Sequence, residues 1–139
     1  GDLAKARALL EEAFRRSPDS VAFGLDFCRA LFAVKDYEGV RNVATPFFRD
    51  QKKYEFAQFL GESSQTLGRY AEAIGYYKDY LTSFGTNLNV LNSIGECYVK
   101  TGDLKGALTA WKKSLELNPA QEELKKKVAE LQGKIVEKS

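Results

Sequence analysis

Histidine is absent from the 139 residues. That removes the side chain that most often serves as general base or transition-metal ligand near neutral pH, so no Cys–His or Ser–His site can be built. Cysteine is scarce: Cys28 and Cys97 are the only two. They lie in apolar stretches far apart in the chain and make a poor zinc site. Both read as buried thiols acting as small apolar groups, with a disulfide or a reactive nucleophile as the alternative. No Gly-rich phosphate loop, HExxH, GxSxG or kinase signature occurs. Adjacent carboxylates such as Glu11-Glu12 and Glu122-Glu123 face different directions on a helix and cannot work as an acid–base pair. Nothing implies a metal or a cofactor, and the sequence is read as that of a non-enzyme.

An excess of either charge is also missing. With 21 Lys and Arg against 19 Asp and Glu, the net charge of +2 implies no nucleic-acid or membrane partner. The one dense basic run, Lys125-Lys126-Lys127, has no aromatics beside it on which bases would stack. It reads as the solvated face of a helix, with a nucleic-acid or anionic-lipid contact as the sharper alternative. No apolar run approaches the roughly 20 residues of a membrane-spanning helix. No signal-peptide pattern opens the chain, and for a chain that starts mid-repeat this constrains no compartment.

What the chain does have is internal periodicity. Leu60-Gly61 recurs 34 residues later as Ile94-Gly95, Gly68 as Gly102, Tyr70 as Leu104, Ala73 as Ala107, Tyr77 as Trp111 and Leu81 as Leu115. Lys35-Asp36-Tyr37 takes the place of Gly68-Arg69-Tyr70 one residue short of that spacing, and Gly1-Asp2-Leu3 with Ala6 repeats Gly102-Asp103-Leu104 with Ala107. Apolar residues at helical spacing run through each half-repeat, and a turn signal separates the halves. One such helix pair cannot bury its apolar face alone, so pairs must stack. Gly61, Gly95, Ala73 and Ala107 are expected to let helices approach closely, while Tyr77 and Trp111 fill the space between one pair and the next. Gly68 and Gly102 suit the left-handed conformation at a helix C-terminus, and Pro18 and Pro119 close one pair before the next.

These residues resemble the tetratricopeptide repeat (TPR) family, whose motif places a large apolar residue, Gly, Tyr, Ala, an aromatic and Pro at fixed offsets. Residues 88–121 carry the motif best, with Ile94-Gly95, Tyr98, Gly102, Ala107, Trp111 and Pro119 in phase. Residues 54–87 follow, with Ser64 for the Tyr and Gly85 for the Pro. Residues 21–53 are a degenerate copy, with Cys28 in the Gly place, Leu31 in the Tyr place, Lys35 in the turn-Gly place, and the small–large pair reversed as Val40 then Ala44. Residues 1–20 form a half repeat and 122–139 a capping helix. The fold class implied is all-α: a right-handed superhelix of antiparallel helix pairs, a TPR-like α-solenoid of about 3.5 repeats plus the cap.

Helices are expected at 3–16, 20–34, 37–49, 54–67, 70–83, 88–101 and 104–117, with the last near 120–137; Pro46 should kink the third or end it early. Leu124, Val128, Leu131 and Ile135 form the apolar stripe of the last. The chain is expected to be a fragment of a longer repeat protein, its first half repeat lacking a partner helix. Leu3, Ala6, Leu10 and Ala13 would then form an exposed stripe that promotes self-association.

The resemblance further implies that partner segments lie along the first helix of each pair. The corresponding positions hold Ala22, Leu25, Arg29 and Phe32, then Glu55, Gln58, Glu62 and Gln65, then Asn89, Asn92, Glu96 and Val99. Phe32 has core packing as its competing role, and Tyr76 or Tyr80 would offer a separate convex patch. Amides can pair with both donors and acceptors of an extended backbone, and the carboxylates with Lys or Arg of a partner. The expected function is a protein–protein interaction scaffold for a basic or polar peptide or helix, with no nucleic acid and no membrane insertion. The alternative is a structural spacer or self-association segment with no free peptide ligand. TPR domains that hold acidic chaperone tails use Lys, Arg and Asn where this chain has Glu62 and Glu96, so that role does not fit.

Overall fold

A computed structural model describes residues 1–138. Among them are eight α-helices and no strand: α1 Asp2–Arg16, α2 Val21–Ala33, α3 Tyr37–Gln51, α4 Ala57–Thr66, α5 Tyr70–Phe84, α6 Leu88–Thr101, α7 Leu104–Leu117 and α8 Glu122–Lys138. A 3-10 turn, Tyr54–Phe56, precedes α4 where a continuous helix from residue 54 was expected. The starts follow from capping chemistry. Ser20, Asp36, Asn87 and Asp103 each accept a hydrogen bond from the backbone N–H three residues on, satisfying a donor the helix cannot use internally. At the ends, Gly68 and Gly102 take φ of 80° and 85°, and Lys35 holds the equivalent place at φ 63°. A side chain there is strained by about 1 kcal/mol, and the equivalent turn still forms.

Two compact units are present, Gly1–Tyr80 and Leu81–Ser139, with the boundary inside α5. In the first, Phe27, Cys28, Leu31, Val40, Ala44, Phe47, Phe56 and Leu60 form the core. In the second, Ala107, Trp111, Leu124, Val128 and Leu131 form a core that joins α7 to α8, with Ile135 packed partly against it. The expected stripe of the last helix is therefore the face it buries. Contacts in the second unit run symmetrically about Gly102, with Tyr98 near Gly106 and Gly95 under Trp111, which makes α6 and α7 an antiparallel pair.

Trp111 packs against Leu124, Val128 and Leu131 of the following helix, as expected, and Tyr77 and Trp111 each also close on the glycine of their own pair. A Cβ on Gly61 would lie 2.6 Å from the Tyr77 ring, and one on Gly95 would fall on the Trp111 indole. Of the two expectations for Pro46, an early end is not seen: α3 runs five residues further, to Gln51. Pro46 and Asn42 are both exposed, so the carbonyl the proline leaves unpaired lies where water can serve it, while Ala44 and Phe47 anchor the opposite face in the core.

Second helices of the first unit are tied by ion pairs that no motif announces. Arg7 reaches Asp36 at 3.1 Å, Arg69 reaches Glu38 at 2.8 Å, and Arg41 reaches Glu72 at 2.7 Å. Ser64, which stands in the place of the motif tyrosine, is fully buried beside Ser63, and neither hydroxyl has a hydrogen-bond partner among the described residues. Ser64→Ala should therefore leave stability unchanged or raise it by about 1 kcal/mol, because it removes an unpaired buried donor and improves helix propensity. A loss of stability in urea denaturation would mean that the hydroxyl is paired after all.

Candidate protein-binding surface

In the first unit the expected positions fall into two groups. Leu25 and Phe32 pack partly against the core; Phe32 lies edge-on to Tyr37 at 5.2 Å and 6.4 Å from Phe59, so core packing describes it. Ala22 and Arg29 are exposed, the latter paired with Asp26 at 2.7 Å. Glu55 lies exposed on the 3-10 turn rather than on α4. On α4 itself, Gln65 accepts the Tyr77 hydroxyl proton at 2.7 Å and Gln58 donates to Glu62 at 3.3 Å. Burial pushes the Glu62 carboxyl above its ordinary range, an effect the Gln58 hydrogen bond opposes. Among the described residues no cation pairs with Glu62.

A carboxyl raised in the folded state favours folding fully below its unfolded pKa of about 4.3 and withdraws that support as pH rises through the folded value. Glu62→Gln should accordingly raise Tm at pH 7 by about 2 °C, with the gain fading below about pH 4. Thermal melts at both pH values check this; a gain that persists in acid would assign the effect to packing.

In the second unit Asn89 is exposed and Val99 packs partly against the core. Asn92 and Glu96 come together with residues that sequence reasoning missed. The Asn92 amide donates to Gln121 at 2.9 Å, its backbone carbonyl accepts the Trp111 indole proton at 3.1 Å, and Glu96 meets Lys127 at 3.5 Å. Gln121 immediately precedes α8, its carbonyl accepting the Lys125 N–H, and its side chain also donates to the Ser114 carbonyl at 3.1 Å. These side chains, with Glu122, Glu123 and Leu124, line a cavity of about 360 Å³. The only forewarning was the repeat phase, which sets α8 where another first helix would lie.

The remaining candidates resolve as follows. Lys125, Lys126 and Lys127 each have a carboxylate within 3.5 Å, Glu122, Glu123 and Glu96 respectively. Burial raises the Cys28 thiol to about 12 and that of Cys97 to about 11, the latter aided by Glu96; both cysteines are free and buried and stay protonated at neutral pH. Tyr76 is half-buried, edge-on to Phe48 at 5.3 Å. Leu3 and Ala6 are exposed, as is the neighbouring Leu9, whereas Leu10 packs partly against the core and Ala13 is half-buried. Among the described residues there is no metal-ligand cluster and no helix long and apolar enough to cross a membrane.

Glycine under the aromatic ring, alanine one turn before it, and a left-handed turn glycine between the two helices now stand together in the second unit. The tetratricopeptide repeat family model matches residues 89–121, the same pair. The TPR repeat-containing protein MJ1428 of Methanocaldococcus jannaschii is 30% identical over 132 residues, covering 91% of this chain. These likenesses support a tetratricopeptide repeat family for the chain. It spans 22% of the length of that curated relative. A crystal structure of MamA superposes with a TM-score of 0.87 at 16% identity, over 96% of this chain and 80% of the other. Residues 41 to the end of MamA from Desulfovibrio magneticus RS-1 give 0.78 at 17% identity, over 99% and 85%. At such identities the likeness is one of fold, an all-α TPR-like solenoid. TPR proteins are typically non-enzymatic, and their fold supports a general role as a scaffold for protein–protein interaction.

Proposed function

We propose that this TPR segment holds an extended or helical segment of another protein, basic or polar in character, along its first helices. Glu62 is the observation that supports this most. It is a half-buried carboxylate on a first helix, met by one amide and, among the described residues, by no cation. Glu96 holds the same place one repeat later. A carboxylate removed from water gains most from a cation that arrives with a partner. Titration of matched basic, neutral and acidic peptides should show selection of the basic set, and Glu62→Gln should weaken that binding about tenfold, more at low salt than at high. Equal binding of all three sets, or no response to the substitution, would defeat the proposal.

The spacer or self-association reading draws on a different observation. Leu3 and Leu9 on α1 are 56% and 74% exposed, and a depression of about 320 Å³ towards the C-terminal end of α1 is lined by Glu11, Phe14, Arg15, Pro18 and Phe27. On this reading the stripe of Leu3, Ala6, Leu10 and Ala13 carries the contact, with Leu10 and Ala13 its less exposed members. Sedimentation would decide it: a strict monomer at high concentration, unmoved by Leu9→Glu, removes this reading.

A further inference from the structure

We propose that the cavity beside Trp111 receives an arginine side chain of the bound partner, and that Lys127 occupies this place until the partner arrives. The inference rests on the peptide-binding reading above and names one chemical group within it. Lys127 Nζ lies 5.9 Å from the centre of the Trp111 ring and 3.5 Å from Glu96 Oε1. The chain thus already seats a cation against this indole and this carboxylate. Its hold is loose. The Lys127 and Glu96 side chains are 49% and 48% exposed, and ion pairs of that kind contribute little.

Lys127 also borders two depressions. On one side is the 360 Å³ cavity with Glu96, Glu122 and Glu123; on the other is one of about 140 Å³, and Trp111 and Lys127 line both. Swinging the lysine outward would open the indole to both. The first cavity keeps Glu96, Glu122 and Glu123 in its wall, the last two paired with Lys125 and Lys126 at 3.1 and 3.4 Å, and Asn92 there has a buried amide oxygen that accepts no hydrogen bond among the described residues. A guanidinium fits this chemistry better than an ammonium. It is planar, so it stacks on an indole, and its fork of donors pairs with a carboxylate through two hydrogen bonds.

Trp111 is the chain's single tryptophan, so its fluorescence reads this site alone. The probe is acetyl-Gly-Ser-Arg-Ser-Gly amide, with the citrulline peptide as its neutral counterpart. The arginine peptide should change the emission saturably and the citrulline peptide should not. Lys127→Ala should tighten arginine binding about threefold to tenfold by removing the competitor, and Glu96→Gln should weaken it by a similar factor. Lys127→Met, which keeps the apolar stem, should behave as Lys127→Ala does and guards against an effect of lost packing. Equal responses to the two peptides would overturn the inference, as would unchanged affinity in both Lys127 variants. If basic peptides still bound through Glu62 in that case, the scaffold reading would stand without it.

Discussion

Replacing Phe47 with alanine is expected to lower the unfolding free energy by about 3–5 kcal/mol, a large share of the roughly 5–15 kcal/mol that holds a typical domain together. The ring is 2% exposed. It stacks on Phe56 with centroids 4.6 Å apart and planes 6° from parallel, and Phe14 meets it at 5.9 Å. From the other side α2 leaves it room, because a Cβ on Gly24 would sit 2.7 Å from the ring. Truncation opens a void whose walls belong to α1, α2 and the 3-10 turn before α4 and cannot close together. Urea denaturation followed by circular dichroism measures the loss; a change below about 1 kcal/mol would mean that the site collapses around alanine.

Trp111→Ala should bring a comparable loss, about 3–5 kcal/mol, since it removes the centre of the second unit's core along with the indole hydrogen bond to the Asn92 carbonyl. Here the partner position makes the test sharper. Gly95→Ala alone should cost about 1–3 kcal/mol, because its methyl group has nowhere to go under the indole. With Trp111 already truncated, the same methyl enters a cavity, and the higher helix propensity of alanine, worth about 1 kcal/mol, works in its favour. The double variant should therefore be more stable than the sum of the two losses predicts. Strict additivity would show that the ring and the glycine do not bear on each other.

How far the sequence could be read depended on where local chemistry decides. The bounds of α6 and α7 agree with expectation to the residue, 88–101 and 104–117, because Asn87, Gly102 and Asp103 punctuate them. In the degenerate copy the helices were legible but their contact was not. Cys28 does take the glycine's place and faces Val40, its thiol 3.9 Å from that carbonyl. The close approach itself has moved: the large ring is Phe47, about one turn further along α3, and its glycine is Gly24, one turn earlier on α2. In antiparallel helices the two shifts compensate each other. Gly24 was the available signal, hidden because the motif looks for glycine at Cys28.

The candidate surface divides in the same way. Asn92, Glu96 and Glu62 were named from repeat position alone. That Gln121 and Lys127 would join the first two depends on how α8 turns about its own axis, which is set by Leu124, Val128 and Leu131 finding Trp111. Phe32 was ambiguous in sequence because an aromatic on the inner face serves a ligand or the core equally well, and only its neighbours Tyr37 and Phe59 decide.

The displaced contact between Gly24 and Phe47 limits how this protein can be rebuilt. Although α2 and α6 play the same part in their repeats, exchanging one for the other would bring a glycine where Cys28 now stands and take away the one beneath Phe47. Only α2 and α3 transplanted as a couple would carry their mutual fit with them, so the unit of shuffling here is the hairpin and not the single helix.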